Sequence, residues 1–152
     1  MASITVTPEH GYVLGVLALT GFVAQWHAFL VGPARKASKV AYPNAYATHE
    51  EAEKDASKFA FNCVQRAHAN YLENLAVIIP LIITSGPLYP KTTASLGGVW
   101  IAGRIMYALG YKGSKPGSAG NGRYRGAFYA AGQLGLMITA GLSVWTYCVP
   151  GN

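Results

Sequence analysis

Charge is scarce in this sequence. Of its 152 residues only 12% are Asp, Glu, Lys or Arg, against about a quarter in an ordinary soluble domain. Cysteine is scarcer still. Cys63 and Cys148 are too far apart in position and setting to read as a metal site or a disulfide, and Cys148 stands too far from the end for a prenylation box. The first residues lack the basic start of a cleavable signal peptide, so the first apolar run is expected to stay as a helix. No metal and no nucleic-acid partner is expected.

What the sequence has instead is apolar length. Gly11 to Pro33 contains no Asp, Glu, Lys or Arg; neither does Leu75 to Tyr89, nor Gly126 to Pro150. Thr92 to Tyr111 carries one such charge, Arg104. Taken with its flanks, each run reaches the roughly 20 residues needed to cross a hydrocarbon core of about 30 Å. The expectation is a single all-α integral membrane domain over residues 1–152, a four-transmembrane-helix bundle with spans near 11–33, 59–88, 92–112 and 124–149. A soluble all-α domain is the alternative, disfavoured by the length of the uncharged runs.

The basic residues set an orientation. Arg35, Lys36, Lys39, Lys54 and Lys58 lie between the first and second spans, and Lys112, Lys115, Arg123 and Arg125 between the third and fourth. Between the second and third there is only Lys91. The positive-inside rule makes the first two connections cytosolic and both termini luminal. Pro33 is expected to end the first helix, the acidic cluster Glu50, Glu51, Glu53 and Asp55 to be surface charge ahead of the second, and "KGSKPGSAGNGRYRG" to be a flexible loop. Small residues recur at four-residue spacing (Gly11 and Gly15; Ala94, Gly98 and Ala102; Ala127, Ala131 and Gly135), which lets membrane helices approach closely.

The stretch "FNCVQRAHANYLENLAVIIPLII" is polar in its first half. Asn62, Arg66, Asn70 and Glu73 follow spacings of four, four and three, so they share a helical face. Asn74 sits at its edge; Gln65 and His68 point elsewhere. Charges inside a span cost about 2.5–3.5 kcal/mol each on insertion scales, and so face protein or a wet cavity. A self-neutralising structural pair of Arg66 and Glu73 is one reading. The other is a binding site. On the third span Arg104, Tyr107 and Tyr111 share a face, either as an interfacial aromatic belt or as a pocket lining. With Arg35 and Lys36 closing the first span and Arg123 and Arg125 opening the fourth, every span delivers a cation to one depth, beside the carboxylate of Glu73.

Such a site suits a ligand with more negative than positive charge, and glutathione qualifies. Arginine forks would hold its carboxylates, and Glu73 its ammonium. Lowering its thiol pKa by ~2 units needs about 2.7 kcal/mol, which is the order of energy a well-placed arginine in a partly dry site supplies.

Four stretches, "ARKASKVAYPNAY", "FNCVQRAHANYLE", "GRIMYALGY" and "RYRGAF", resemble in order the signatures of the membrane-associated proteins in eicosanoid and glutathione metabolism, the MAPEG family. The resemblance implies a homotrimer binding glutathione between neighbouring subunits at the cytosolic side. It implies Arg66, Asn70, Glu73, Tyr107 and Tyr111 as ligands, with His68, Arg35 and Arg104 as further contacts. It makes Arg125 the residue that stabilises the thiolate, and Lys36 an assisting acid where relatives carry arginine. Asn74 stands where several relatives have tyrosine, and the long glycine-rich loop leaves Arg123 and Arg125 interchangeable.

The implied activity is a membrane-bound glutathione transferase and glutathione peroxidase. It would act on a lipophilic electrophile or lipid hydroperoxide among membrane lipid, or by leukotriene C4-type conjugation. The implied location is the endoplasmic reticulum (microsomal) membrane, with the mitochondrial outer membrane second. A non-catalytic lipid-binding scaffold of the same family is the alternative, and an unrelated small transporter with an intramembrane ion pair is a third reading.

Overall fold

A computed structural model describes residues 5–149. Residues 1–4 and 150–152 lie outside that range, and with them the start of the N-terminal stretch and Pro150 of the last apolar run. The described residues are helical, without strands: α1 (His10–Ser38), α2 (His49–Lys54), α3 (Ala56–Ser85), α4 (Pro90–Lys112), a short 3-10 helix (Asn121–Gly126) and α5 (Tyr129–Cys148). Among them α1 and α3 are long and apolar enough to cross a membrane.

α1 does not end at Pro33. The proline lies inside the helix, which continues to Ser38 before Lys39 turns it off in a left-handed conformation, φ 55°. Proline removes one backbone donor, but the residues that follow, Ala34 to Ala37, are good helix formers. Arg35 then folds forward. Its Nη1 donates to the carbonyls of Val40 at 3.2 Å and Asn44 at 2.8 Å, which ties the departing chain to the last turn.

The acidic cluster is a helix as well as surface charge. Thr48 and Glu51 form a reciprocal capping box that starts α2, satisfying two amides that would otherwise lack partners. Lys58 of α3 donates to the same Glu51 carboxylate. Asp55 caps α3, its Oδ1 accepting from the backbone N–H of Ser57 at 2.8 Å. That cap is why α3 starts three residues ahead of the expected 59.

α3 and α4 form the middle of the bundle. Each packs against the other and against both α1 and α5. The shared core includes Val23 of α1, Tyr71, Ile78 and Ile82 of α3, Trp100 of α4 and Leu136 of α5. The Tyr71 hydroxyl donates to the Thr20 carbonyl at 2.8 Å, and the His27 ring stacks on Tyr71 with centroids 4.7 Å apart. The outside is also apolar: Leu14, Phe22 and Phe29 on α1 and Leu134, Ile138 and Trp145 on α5 are exposed. So continuous an apolar exterior marks a membrane or partner-facing surface.

The glycine-rich segment after α4 is packed, not loose. A Cβ on Gly110 would strike the Gly122 carbonyl, and one on Gly122 the Gly110 carbonyl. A Cβ on Gly126 would meet Gly103 and Tyr107, and one on Gly120 the ring of Tyr111. Glycine on both sides thus lets the 3-10 helix lie backbone to backbone along α4. The break it makes is why α5 begins at Tyr129 and not near 124.

Two outcomes follow from this packing. Gly122→Ala should cost about 1–3 kcal/mol through overpacking, seen as a lower thermal unfolding midpoint in detergent. Gly113→Ala, whose Cβ would meet only ordinary contacts at 3.6 and 3.7 Å, should leave the midpoint unchanged; equal effects would mean the segment yields. The second concerns pH. Hydrogen bonds from Lys58 and then Thr48 hold the Glu51 carboxyl below its ordinary range, and those from Ser57 do the same for Asp55. Lowered values in the folded state stabilise it above the ordinary carboxylate value near about 4, and the benefit is lost as pH falls through the lowered values. Hydrogen exchange at Ser57 and Lys58, corrected for intrinsic rate, should stay flat from neutral pH to about 5 and rise below about 4. A rise already at about pH 6 would show that these caps do not hold the turn.

Candidate functional site

α3 has 30 residues, so it is about 45 Å long, well beyond a hydrocarbon core of about 30 Å. Its first turns can therefore stand beyond the lipid boundary while the remainder lies within it. The same end of the bundle carries the last turns of α1 and α4, the α1–α2 connection and the 3-10 helix.

There the polar face of α3 forms one connected network. Arg66 Nη1 and Nη2 donate to the two carboxylate oxygens of Glu73 at 2.8 and 3.3 Å. Asn70 Nδ2 donates to Glu73 Oε2 at 3.3 Å. Arg104 Nη2, reaching over from α4, donates to Asn70 Oδ1 at 2.7 Å. Two guanidiniums, one amide and one carboxylate are thus linked in series, with a net positive charge. The outer pair is open, with Arg66 and Glu73 side chains 46% and 53% exposed. The inner arginine is fully buried.

Aromatic rings enclose Arg104. Its guanidinium carbon lies 4.7 Å from the ring centroids of both Tyr107 and Tyr129 and 5.9 Å from those of Tyr71 and Trp100. Ring faces attract a cation by their quadrupole, and this replaces part of the hydration that burial removes. Arg104 Nε and Nη1 have no hydrogen-bond partner among the described residues. Tyr107 leads outward from this cage, meeting Tyr111 edge to face at 5.7 Å, and Arg123 lies over Tyr111 at 5.5 Å.

The structure therefore brings Arg66, Asn70, Glu73, Arg104, Tyr107 and Tyr111 to one wall. Other candidates lie elsewhere. Asn62 shares the helical face but is engaged with Ala47, accepting from its N–H at 2.8 Å and donating to its carbonyl at 2.9 Å. His68 faces the bundle interior near His27, ring centroids 6.2 Å apart. Arg35 serves its own connection and lies over Tyr42 and Phe61. Asn74 donates back to the Asn70 carbonyl. Lys36 and Arg125 are exposed, and neither enters an ion pair among the described residues. Arg123 donates to the Ala119 carbonyl and to the Tyr124 hydroxyl, so it is held by its own loop while Arg125 projects from it.

Sequence reasoning passed over the α1–α2 connection. Tyr46 stands beside the Asn62–Ala47 clasp and, with Arg66 and Tyr111, lines a cavity of about 540 Å³. The available signal was Asn62 itself, an amide on the polar face that needed a partner of its own.

A wall of this kind has the charges to receive a zwitterionic anion. One of the ligand's carboxylates can add to the Arg66 fork and its ammonium to Glu73, so that ligand and protein charges alternate and none is stranded. A second carboxylate or a thiolate would still need cations beyond this wall. The MAPEG family model matches residues 13–145, from the first turn of α1 to near the end of α5, and so takes in every residue of the network.

The network assigns different tasks to its two ends. Asn70→Leu removes the 2.7 Å hydrogen bond of a buried guanidinium and should cost about 1.5–3 kcal/mol, read as a lower unfolding midpoint. Glu73→Gln, at the open end, should leave that midpoint close to wild type. Equal destabilisation by both would make Arg66–Glu73 a structural pair and not a binding surface.

Proposed function

This chain belongs to the MAPEG family, and from that membership together with the charged wall on α3 we propose that it is a membrane-bound glutathione transferase with glutathione peroxidase activity. Four-span insertion, assembly as a homotrimer, and residence in the endoplasmic reticulum membrane with the basic end in the cytosol are part of the same reading. Within the family, the four quoted stretches resemble those of the type 3 microsomal glutathione S-transferases.

The observation that carries this reading is the open Arg66–Glu73 pair backed by Asn70 and the caged Arg104. Glutathione brings two carboxylates, one ammonium and one thiol. Its ammonium and neighbouring carboxylate match Glu73 and Arg66. Its sulfur needs a cation that this wall does not supply, and Arg125 is exposed and without an ion-pair partner among the described residues. In a trimer Arg125 can serve the cleft of a neighbour, with Lys36 close to the same level on α1. The homotrimer is thus a requirement of the chemistry in this reading, since one chain alone leaves the sulfur without its cation.

In conjugation the thiol gives its proton to water, the thiolate attacks an electrophilic carbon, and a sulfur–carbon bond forms as the leaving group departs or an epoxide opens. In peroxide reduction the thiolate attacks the distal peroxide oxygen. The oxygen–oxygen bond breaks, the lipid alkoxide takes up a proton to become an alcohol, and glutathione becomes a sulfenic acid. A second glutathione thiolate attacks that sulfur, giving glutathione disulfide and hydroxide, which takes up a proton to become water. Apolar acceptors reach the sulfur from the lipid side, along the exposed apolar faces of α1 and α5.

The second reading, a lipid-binding scaffold, is favoured by one observation: within one chain Glu73 and Arg66 already satisfy each other. The two readings separate on mixing purified protein with glutathione in a stopped-flow spectrometer. The enzyme should develop the ultraviolet absorbance of thiolate, and the scaffold should not. Arg125→Ala should abolish that absorbance and greatly reduce turnover while glutathione binding stays within about tenfold, because its task is at the sulfur. Equal loss of binding and rate would instead make Arg125 a carboxylate clamp.

A further inference from the structure

The formal net charge of +6 is not shared between the two ends of the bundle. At the far end Lys91 Nζ meets Glu9 Oε1 at 2.6 Å, and the two cancel. The other five Asp and Glu residues lie at the basic end, and each is engaged. Glu50 pairs with Lys54 at 2.6 Å, Glu53 with His49 at 3.2 Å, Glu51 with Lys58, and Glu73 with Arg66. Asp55 caps α3. The whole excess of positive charge therefore stands at one end, with no Asp or Glu left there to meet it.

Arginine and lysine carry that excess differently. Arg35 and Arg123 are bound to carbonyls, Arg66 to Glu73, and Arg104 lies in its aromatic cage. Lys36, Lys39, Lys112, Lys115 and Arg125 are exposed and in no ion pair among the described residues. Lys36 and Arg125 have a task in the glutathione reading; Lys39, Lys112 and Lys115 have none. Lys39 follows the last turn of α1, Lys112 ends α4, and Lys115 lies just beyond it. α1 and α4 run to the same end and pack on each other. Three lysines thus stand where two helices leave the hydrocarbon.

Depth and side-chain type select the partner. Tyr42 and Tyr124, 81% and 61% exposed, stand at the same end, and tyrosine is enriched at the headgroup level of membrane proteins. Lysine is a point charge on a flexible stem, whose methylenes can lie along lipid while the ammonium reaches the headgroups. It suits a phosphate whose position shifts, and it lacks the planar fork that fixes a carboxylate. Basic clusters just outside a membrane span attract anionic lipid. We propose that Lys39, Lys112 and Lys115 bind the headgroups of anionic phospholipids, of which phosphatidylserine is a simple example, and so gather these lipids around the basic end. This rests on the membrane-spanning reading and not on glutathione.

The test is electron spin resonance on the full-length protein in phosphatidylcholine vesicles, with a trace of spin-labelled phosphatidylserine or phosphatidylcholine as probe. The motionally restricted fraction of the signal reports lipid in contact with protein. Wild type should hold phosphatidylserine about fivefold more strongly than phosphatidylcholine, the effect of one lysine near an anionic headgroup. Replacing Lys39, Lys112 and Lys115 together by glutamine should bring that ratio below about twofold, and Lys39→Gln alone should lower it part of the way. Lys54→Gln removes an equal charge, but one already paired with Glu50, and should leave the ratio as in wild type. An equal fall in Lys54→Gln and Lys39→Gln would trace the preference to net charge and overturn the assignment. A triple variant that keeps the wild-type ratio overturns it as well. Inorganic phosphate that abolishes the preference where chloride of the same ionic strength does not would mark a site for a soluble anion, with the same consequence. Wild type that shows no preference overturns the assignment without any variant and leaves the glutathione reading standing.

Discussion

The guanidinium of Arg104, buried between α3 and α4, is the constraint on which the basic end of this bundle depends. A charge at that position is costly unless something replaces its hydration. Four aromatic rings from α3, α4 and α5 do part of this, and Asn70 supplies a hydrogen bond. Because Asn70 is held at its oxygen, its amide nitrogen is aimed at Glu73, and Glu73 in turn orients the Arg66 fork. A buried packing interaction thereby sets the geometry of an open one two turns away. The aromatic cage and the polar wall are parts of one device, so a change in the cage is felt at the surface.

Close approach of backbones makes that device possible. Tyr129 can stand over Arg104 only if α5 begins tight against α4, and Gly103 allows it, since a Cβ there would lie 2.6 Å from the Tyr129 nitrogen. Gly110 and Gly122 do the same one layer out, and Gly126 lies against Tyr107. Small residues lower the cost of bringing helices together where the surroundings offer little hydrophobic gain for doing so. Here they also carry the chain from α4 to α5 along the very face that bears Arg104, Tyr107 and Tyr111.

Much of this was legible in the residues. The four apolar runs correspond to the four long helices, and the spacing of Arg66, Asn70 and Glu73 put them on one face, where the structure has them. Asn62 fits the same spacing yet belongs to the loop clasp, because helical periodicity places a residue on a face without saying what crosses over it. Pro33 read as a terminus, but a proline stops a helix only when nothing beyond it rewards continuing, and Arg35 does reward it. The glycine-rich segment read as flexible because composition alone does not separate glycine used for freedom from glycine used for contact. Its partner glycines, Gly103 and Gly110, lie in α4, and only the packing of one on the other reveals the second use. His68 was implied by the resemblance alone, and its ring lies 6.2 Å from that of His27, outside the hydrogen-bonded series of Arg66, Asn70 and Glu73.

The distribution of cations bears most directly on function. Within one chain the basic residues divide into those already engaged and those projecting outward. Arg35 and Arg123 are bound to carbonyls of their own loops, Arg66 is paired with Glu73 and Arg104 is caged. Lys36, Lys39, Lys112, Lys115 and Arg125 are left, all exposed and in no ion pair among the described residues. A site completed within one chain would need some of the engaged arginines to let go of their partners, at the cost of the loops they hold. A site completed between chains needs none of that, because the exposed cations of one copy can face the half-open Arg66–Glu73 pair of another. The glycine-rich segment holds Arg123 over Tyr111, while Arg125, two positions on, is exposed with its Cδ beside Gly110 of α4.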